Sequence, residues 1–137
     1  PGKKFFLIGS DYAWPRETNK MFKEKFAELG GQVVGEVYIP FNTPQYDSVL
    51  RDIKNAGTEV IFHSLTGSDT VNFRRQLHAA GMSKDITLWT VDDDEVVTSG
   101  LGPEVSAGTY VSFDYFWSIK TPNNAVDFKG IAIEYTP

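Results

Sequence analysis

The sequence predicts an α/β domain built on an open, five-stranded parallel sheet of order 2-1-3-4-5, with helices on both faces in three layers. Three observations carry this expectation. Apolar strand centres near Phe6, Val34, Ile61 and Leu88 recur about every 27 residues, the length of a strand-helix unit. The first strand is a continuous apolar run, as a strand covered on both faces should be. The segments between strands carry apolar positions at helical spacing and end on glycine.

The first strand reads Lys4-Phe5-Phe6-Leu7-Ile8-Gly9. Pro15 suits the first position of a helix, where its missing N–H costs nothing, and Thr18, Met21, Phe22, Phe26 and Leu29 fall on one stripe ended by Gly30-Gly31. A second strand runs from Gln32 to Ile39. Thr43-Pro44 then has the pattern of a cap followed by proline, opening a helix with the stripe Tyr46, Val49, Leu50 and Ile53, closed by Gly57. Glu59 to Leu65 is predicted as strand three. Asp69 caps a helix bearing Phe73, Leu77 and Ala80, and Ile86 to Val91 is strand four. A short helix over Asp94 to Ser99 stops at Gly100, and Thr109 to Phe116 is the fifth strand candidate. After the Pro122-Asn123-Asn124 turn, the alternation of Ile131, Ile133 and Tyr135 fits a half-buried strand. The expected core is Phe6, Leu7, Ile8, Val60, Ile61, Phe62, Leu88 and Trp89. No low-complexity linker divides residues 1–137, which therefore read as one domain.

Composition narrows the function classes. Thirteen Lys and Arg against eighteen Asp and Glu give a net charge of −5, with the basic residues scattered, so nucleic acid is not an expected partner. No apolar run approaches the ~20 residues that span a bilayer, and no signal-peptide pattern opens the chain, so any export signal is expected to have been removed. The absence of Cys excludes disulfides and thiolate chemistry together. No GxGxxG, Walker loop, HExxH or GxSxG occurs, and no catalytic residue, metal or cofactor is expected.

In an open parallel sheet, ligands bind beyond the carboxyl ends of the strands where the order reverses. Three loops qualify: Gly9 to Pro15, Ser64 to Asp69 and Thr90 to Asp94. The first carries Tyr12 and Trp14, which offer apolar area with an O–H and an N–H, a wall suited to a small planar ligand. The alternative is that both rings only cover the sheet end. The second loop offers Thr66 and Ser68, residue types that any strand-to-helix turn also requires. The run Asp92-Asp93-Asp94-Glu95 resembles a magnesium or phospho-acceptor cluster, but acidic residues also open helices, and a structural role is expected for most of it, with Asp93 left as the one to face the cleft. His63 and His78 stand apart from any Ser nucleophile or metal partner.

Gly9-Ser10-Asp11-Tyr12-Ala13-Trp14-Pro15-Arg16-Glu17-Thr18-Asn19 is similar to a segment of the amide- and urea-binding branch of the type I periplasmic-binding proteins. The Gly30-Gly31 turn, Glu36 to Pro40 and Phe113 to Pro122 extend the resemblance to residues 3–124, leaving 125–137 without a counterpart. The resemblance implies the second lobe of that two-lobed fold. It places Tyr12 and Trp14 among the cleft aromatics, with Ser10, Leu65, Thr66, Thr90 and Asp93 completing the expected ligand-binding set. Trp14 stands where Tyr or Phe is commoner, and the larger ring narrows the pocket. The implied function is binding of a short amide, urea or an amino-acid-like ligand for an ABC permease, in the periplasm, or in the cytoplasm for a regulatory amide sensor. The first lobe, which supplies the other wall, has no counterpart here, and the uncovered cleft face is a candidate for self-association. Two alternatives stay open: a receiver-like phospho-signalling domain, which acetyl phosphate would label in the presence of magnesium, and a small flavodoxin-like enzyme, which a flavin spectrum would reveal.

Overall fold

The computed structural model describes residues 2–114, 116, 118 and 119. In order these form β1 (Lys4–Ser10), α1 (Ala13–Glu28), β2 (Gln32–Ile39), α2 (Asp47–Asn55), β3 (Val60–Ser64), α3 (Ser68–Ala79), a 3-10 turn (Met82–Lys84), β4 (Thr87–Thr90), α4 (Glu95–Leu101), α5 (Pro103–Ser106) and β5 (Tyr110–Val111). All strand pairs are parallel, in one sheet of order β2-β1-β3-β4-β5, as the sequence predicts.

The apolar runs explain that order. β3 is buried along its whole length, and Phe6, Leu7 and Ile8 of β1 are buried as well, because strand neighbours lie on both sides and helices on both faces. Side chains alternate between the faces. Phe6, Ile8 and Ile61 join Tyr46, Leu50 and Ile53 of the α2 side and Phe73 and Leu77 of α3, whereas Leu7 and Phe62 meet Phe26 of α1. A register shift between Phe5 and Phe6 sets Phe6 opposite Gly35, where a Cβ would lie 2.3 Å from the Phe6 ring, so the bulky residue needs glycine as its neighbour.

Several local expectations are corrected. α1 begins at Ala13, two residues before Pro15, and its inward stripe is Pro15, Asn19, Phe22 and Phe26. Met21 and Leu29, assigned to the stripe from sequence, are 70% and 71% exposed. The polar Asn19 disguised the true face. α2 starts at Asp47 rather than after Thr43, since Gln76 of α3 accepts from the Tyr46 N–H and donates to the Pro44 carbonyl, holding that stretch as a loop. β5 is confined to two residues. Trp89 is half-buried rather than core. The predicted strand near Ile131 to Tyr135 lies outside the described residues.

Candidate ligand-binding face

The carboxyl ends of β1 and β3 are brought together by a glycine that no other residue could replace without movement. A Cβ on Gly9 would stand 2.7 Å from Pro15 Cβ and 2.8 Å from Ser64 Oγ. Pro15 can therefore seat the first turn of α1 directly on the sheet end. Ser10 follows, fully buried, with its Oγ accepting from the Thr66 backbone N–H at 3.1 Å and lying 3.4 Å from Thr66 Oγ1. This bond ties the first loop to the second across the point where strand order reverses.

Tyr12 and Trp14 face outward from the start of α1, 37% and 40% exposed, with ring centroids 6.4 Å apart and planes inclined by 27°. Phe41, from the loop after β2, approaches Tyr12 at 5.4 Å and is 53% exposed. Sequence reasoning passed over Phe41. The available signal was an aromatic residue at the carboxyl end of the strand that the 2-1-3 order places beside the first loop. Asp11, in the same loop, forms an ion pair with Arg16 at 2.6 Å, and the Arg16 guanidinium lies over the Tyr38 ring at 4.1 Å. Burial, and then the Glu36 carboxylate, raise Tyr38 to about 12, so its phenol stays protonated and donates to Glu36 at 2.6 Å.

The other expected residues divide. Thr66 is partly exposed beside Ser10, but Leu65 is fully buried in the α2–α3 core, its carbonyl accepting from Thr70 Oγ1 at 2.6 Å. Thr90 and Asp93 are also fully buried. Asp93 does not face the cleft. It forms a buried ion pair with Arg74 of α3, whose other terminal nitrogen donates to Thr109 Oγ1 at 2.9 Å. A single guanidinium thus outcompetes the cleft for this carboxylate. Burial pushes the Asp93 carboxyl up and the Arg74 guanidinium down, since a dry site disfavours either charge. His63 lies in the same region, and burial together with Arg74 depresses its imidazole to about 3, leaving it neutral.

Asp94 and Glu95 of the acidic run are structural too. Asp94 caps α4 by accepting from the Val97 N–H at 2.9 Å, and Glu95 accepts from the Ser118 N–H and hydroxyl at 3.0 and 2.7 Å. Asp69 is not the cap of its own helix. Its buried carboxylate accepts from the N–H groups of Asn42 and Thr43 at 2.9 and 3.0 Å and lies 3.2 Å from the Tyr46 hydroxyl. Among the described residues no group of three His, Asp or Glu is placed to hold a metal ion. A separate apolar groove of 540 Å³, lined by Phe5, Phe22, Phe26, Trp89 and Tyr110, opens on the α1 face of the sheet, apart from Tyr12 and Trp14.

The face thus consists of exposed rings over a hydrogen-bonded sheet end. The profile of the family described as periplasmic binding protein domain matches residues 1–134. The Leu/Ile/Val-binding protein homolog 6 of Brucella melitensis is 29% identical over 126 residues, covering 89% of this chain and 32% of its own length. The crystal structure of an amino acid ABC transporter substrate-binding protein from Pseudomonas fluorescens superposes with a TM-score of 0.84 at 22% identity, over 97% of this chain and 36% of that one. A solute-binding protein of an ABC transporter from R. palustris, in complex with 4-hydroxybenzoate, superposes with a TM-score of 0.84 at 26% identity, over 98% of this chain and 38% of its own. The chain spans about a third of the length of each of these relatives. With its 2-1-3-4-5 parallel sheet and a profile match across nearly its whole length, the chain belongs to the periplasmic binding protein domain family.

Proposed function

We propose that this chain is one ligand-binding lobe of a solute receptor that delivers a small molecule to an ABC permease in the periplasm, and that it captures rather than transforms its ligand. The observation that carries the reading is the exposed Tyr12–Trp14 pair at the carboxyl end of a sheet whose family and topology are those of periplasmic binding proteins. The rings supply a flat apolar wall with polar edges, and Thr66 supplies a hydroxyl beside it. A second lobe supplies the opposing wall and excludes water on closure. Short amides and urea are the candidates that the sequence resemblance of the first loop implies. The relatives described as binding proteins for amino acids and for 4-hydroxybenzoate extend the candidates to branched or aromatic carboxylates.

Affinity for one lobe is bounded by ligand size. Acetamide or urea has four non-hydrogen atoms, and at a ceiling of about −1.5 kcal/mol per atom a complete site reaches about −6 kcal/mol, a Kd of tens of micromolar. One wall without closure reaches only the millimolar range. Titration of the isotopically labelled chain with acetamide, leucine and benzoate, followed by amide NMR shifts, tests this. Weak, saturable shifts centred on Tyr12, Trp14 and Thr66 are expected. Shifts elsewhere, or none with any of the three probes, would overturn the assignment, and a one-to-one micromolar Kd abolished by Tyr12→Ala would show that the lobe holds a whole site. The uncovered face also supports self-association. Sedimentation is expected to show concentration-dependent association that Trp14→Ala weakens; a monomer at high concentration for both chains would count against it.

A further inference from the structure

We infer that Phe41 is a third ligand-contacting ring of this face, that it selects ligands bearing an aromatic ring over four-atom amides, and that Asp69 is the positioning residue that presents it. This rests on the ligand-binding reading of Tyr12 and Trp14 and extends it to a residue on a different strand. The loop between β2 and α2 is held in an unusual conformation. Asn42 has φ +62°, and it is the one non-glycine residue in the left-handed region among those described. Such a conformation costs free energy and persists only where surrounding bonds over-determine it.

Those bonds come from α3 and from within the loop. The buried Asp69 carboxylate accepts from both Asn42 N–H and Thr43 N–H, so two adjacent amides converge on one side chain. Thr43 Oγ1 donates to the Pro40 carbonyl at 2.7 Å, and Gln76 holds Tyr46 N–H and the Pro44 carbonyl at 2.9 and 3.0 Å. α3 therefore grips this loop at both ends. Held in this way, Phe41 is not a residue left outside by a loose loop. It is fixed at 5.4 Å from Tyr12 while more than half of its surface stays open.

The geometry sets the selectivity. Phe41, Tyr12 and Trp14 follow one another with centroid separations of 5.4 and 6.4 Å, within the range at which aromatic rings attract each other in tilted or offset arrangements. Phe41 stands closer to Tyr12 than Trp14 does, so a ligand ring seated on Tyr12 has a further ring to pair with, whereas a four-atom amide has no ring to offer it. The loop also gives Phe41 no second task, since it belongs to neither of the two buried core clusters.

The test compares benzoate with acetamide by amide NMR titration of the parent chain and of Phe41→Ala, Phe41→Trp and Asp69→Asn. Phe41→Ala is expected to weaken benzoate about three- to tenfold, the worth of one ring contact, and to leave acetamide unchanged. Phe41→Trp should restore benzoate binding. Asp69→Asn should reproduce the benzoate loss, and combining it with Phe41→Ala should add nothing further, a non-additivity that general destabilisation would not produce. Should Asp69→Asn fail to fold, the exposed Phe41 variants carry the test alone. An unchanged benzoate-to-acetamide ratio in Phe41→Ala, with both probes still shifting Tyr12 and Trp14, overturns this inference and spares the ligand-binding reading. Absence of shifts at Tyr12 and Trp14 in the parent chain overturns both.

Discussion

Replacing Arg74 by methionine removes the partner of a carboxylate that has no access to solvent. Arg74 and Asp93 are 1% and 0% exposed at their side chains, so neither charge is screened by water, and after the substitution Asp93 keeps only Thr90 among its stabilising contacts. Breaking a buried pair from one side costs about 3–5 kcal/mol, and loss of the Arg74–Thr109 hydrogen bond adds about 1 kcal/mol. The sum, about 4–6 kcal/mol, is a large part of the 5–15 kcal/mol that typically holds a domain together. With a urea m-value of about 2 kcal/mol per molar, the midpoint should fall by about 2–3 M. Arg74→Met with Asp93→Leu exchanges the pair for apolar side chains and removes the orphaned charge. That double variant should lie within about 1–2 kcal/mol of the parent, leaving a coupling of at least 2 kcal/mol. Urea titration of the parent, both single variants and the double variant measures this. Additive losses, or a single Arg74→Met variant within 1 kcal/mol of the parent, would refute the view that the pair is dry and mutually dependent.

Core and acidic-run residues should separate cleanly: Phe62→Ala leaves a cavity under α1 and should cost ~3–5 kcal/mol, whereas Asp92→Ala should cost little, because burial and its neighbours Asp93 and Asp94 already push that carboxyl up. Equal midpoints in denaturant would contradict this. His63 makes stability pH-dependent. Unfolded, it takes a proton near 6.5; folded, it stays neutral down to about 3, so between these values the unfolded state binds more protons. Its contribution is fully present above pH 6.5 and is lost as pH falls, by about 1.4 kcal/mol per unit. The stability difference between parent and His63→Phe, measured from pH 8 to 4, should shrink accordingly; parallel profiles would exclude the effect. Gly9→Ala forces a methyl against Pro15 and Ser64 and should cost ~1–3 kcal/mol by thermal or denaturant unfolding, with no loss indicating that α1 can lift from the sheet end.

Much of the fold is legible in the chain because its signals are local. Continuous apolar runs at Phe5 to Ile8 and Val60 to Phe62 require cover on both faces, and glycines at the helix ends punctuate the units, so a parallel strand-helix repeat follows without a contact being known. The stripe of α2 was equally legible, since Val49, Leu50 and Ile53 are all apolar and, with Tyr46 just ahead of the helix, all buried. The stripe of α1 was not. Its sheet-facing Asn19 is polar, bonded to Ser64 and Tyr38, and two apolar residues on the opposite side mimic a face.

The candidate site divides along the same line. Tyr12 and Trp14 could be proposed from sequence because they lie in a βα loop at the carboxyl end of a parallel strand, where ligands bind in such sheets, and because that loop resembles the family's segment. Thr90 and Asp93 occupy the expected end of β4 yet turn inward, for Arg74 lies nineteen residues away from Asp93 in the chain and only folding brings its charge there. Phe41 comes beside Tyr12 for a similar reason, since the carboxylate that holds its loop comes from α3. By itself the sequence determined the parallel α/β architecture and the placing of Tyr12 and Trp14 at the carboxyl end of β1, because hydrophobic period and turn chemistry act over a few residues. Tertiary structure alone decided which polar groups remain open to a ligand, because a buried charge takes the nearest opposite charge in space, and distance along the chain says nothing of that.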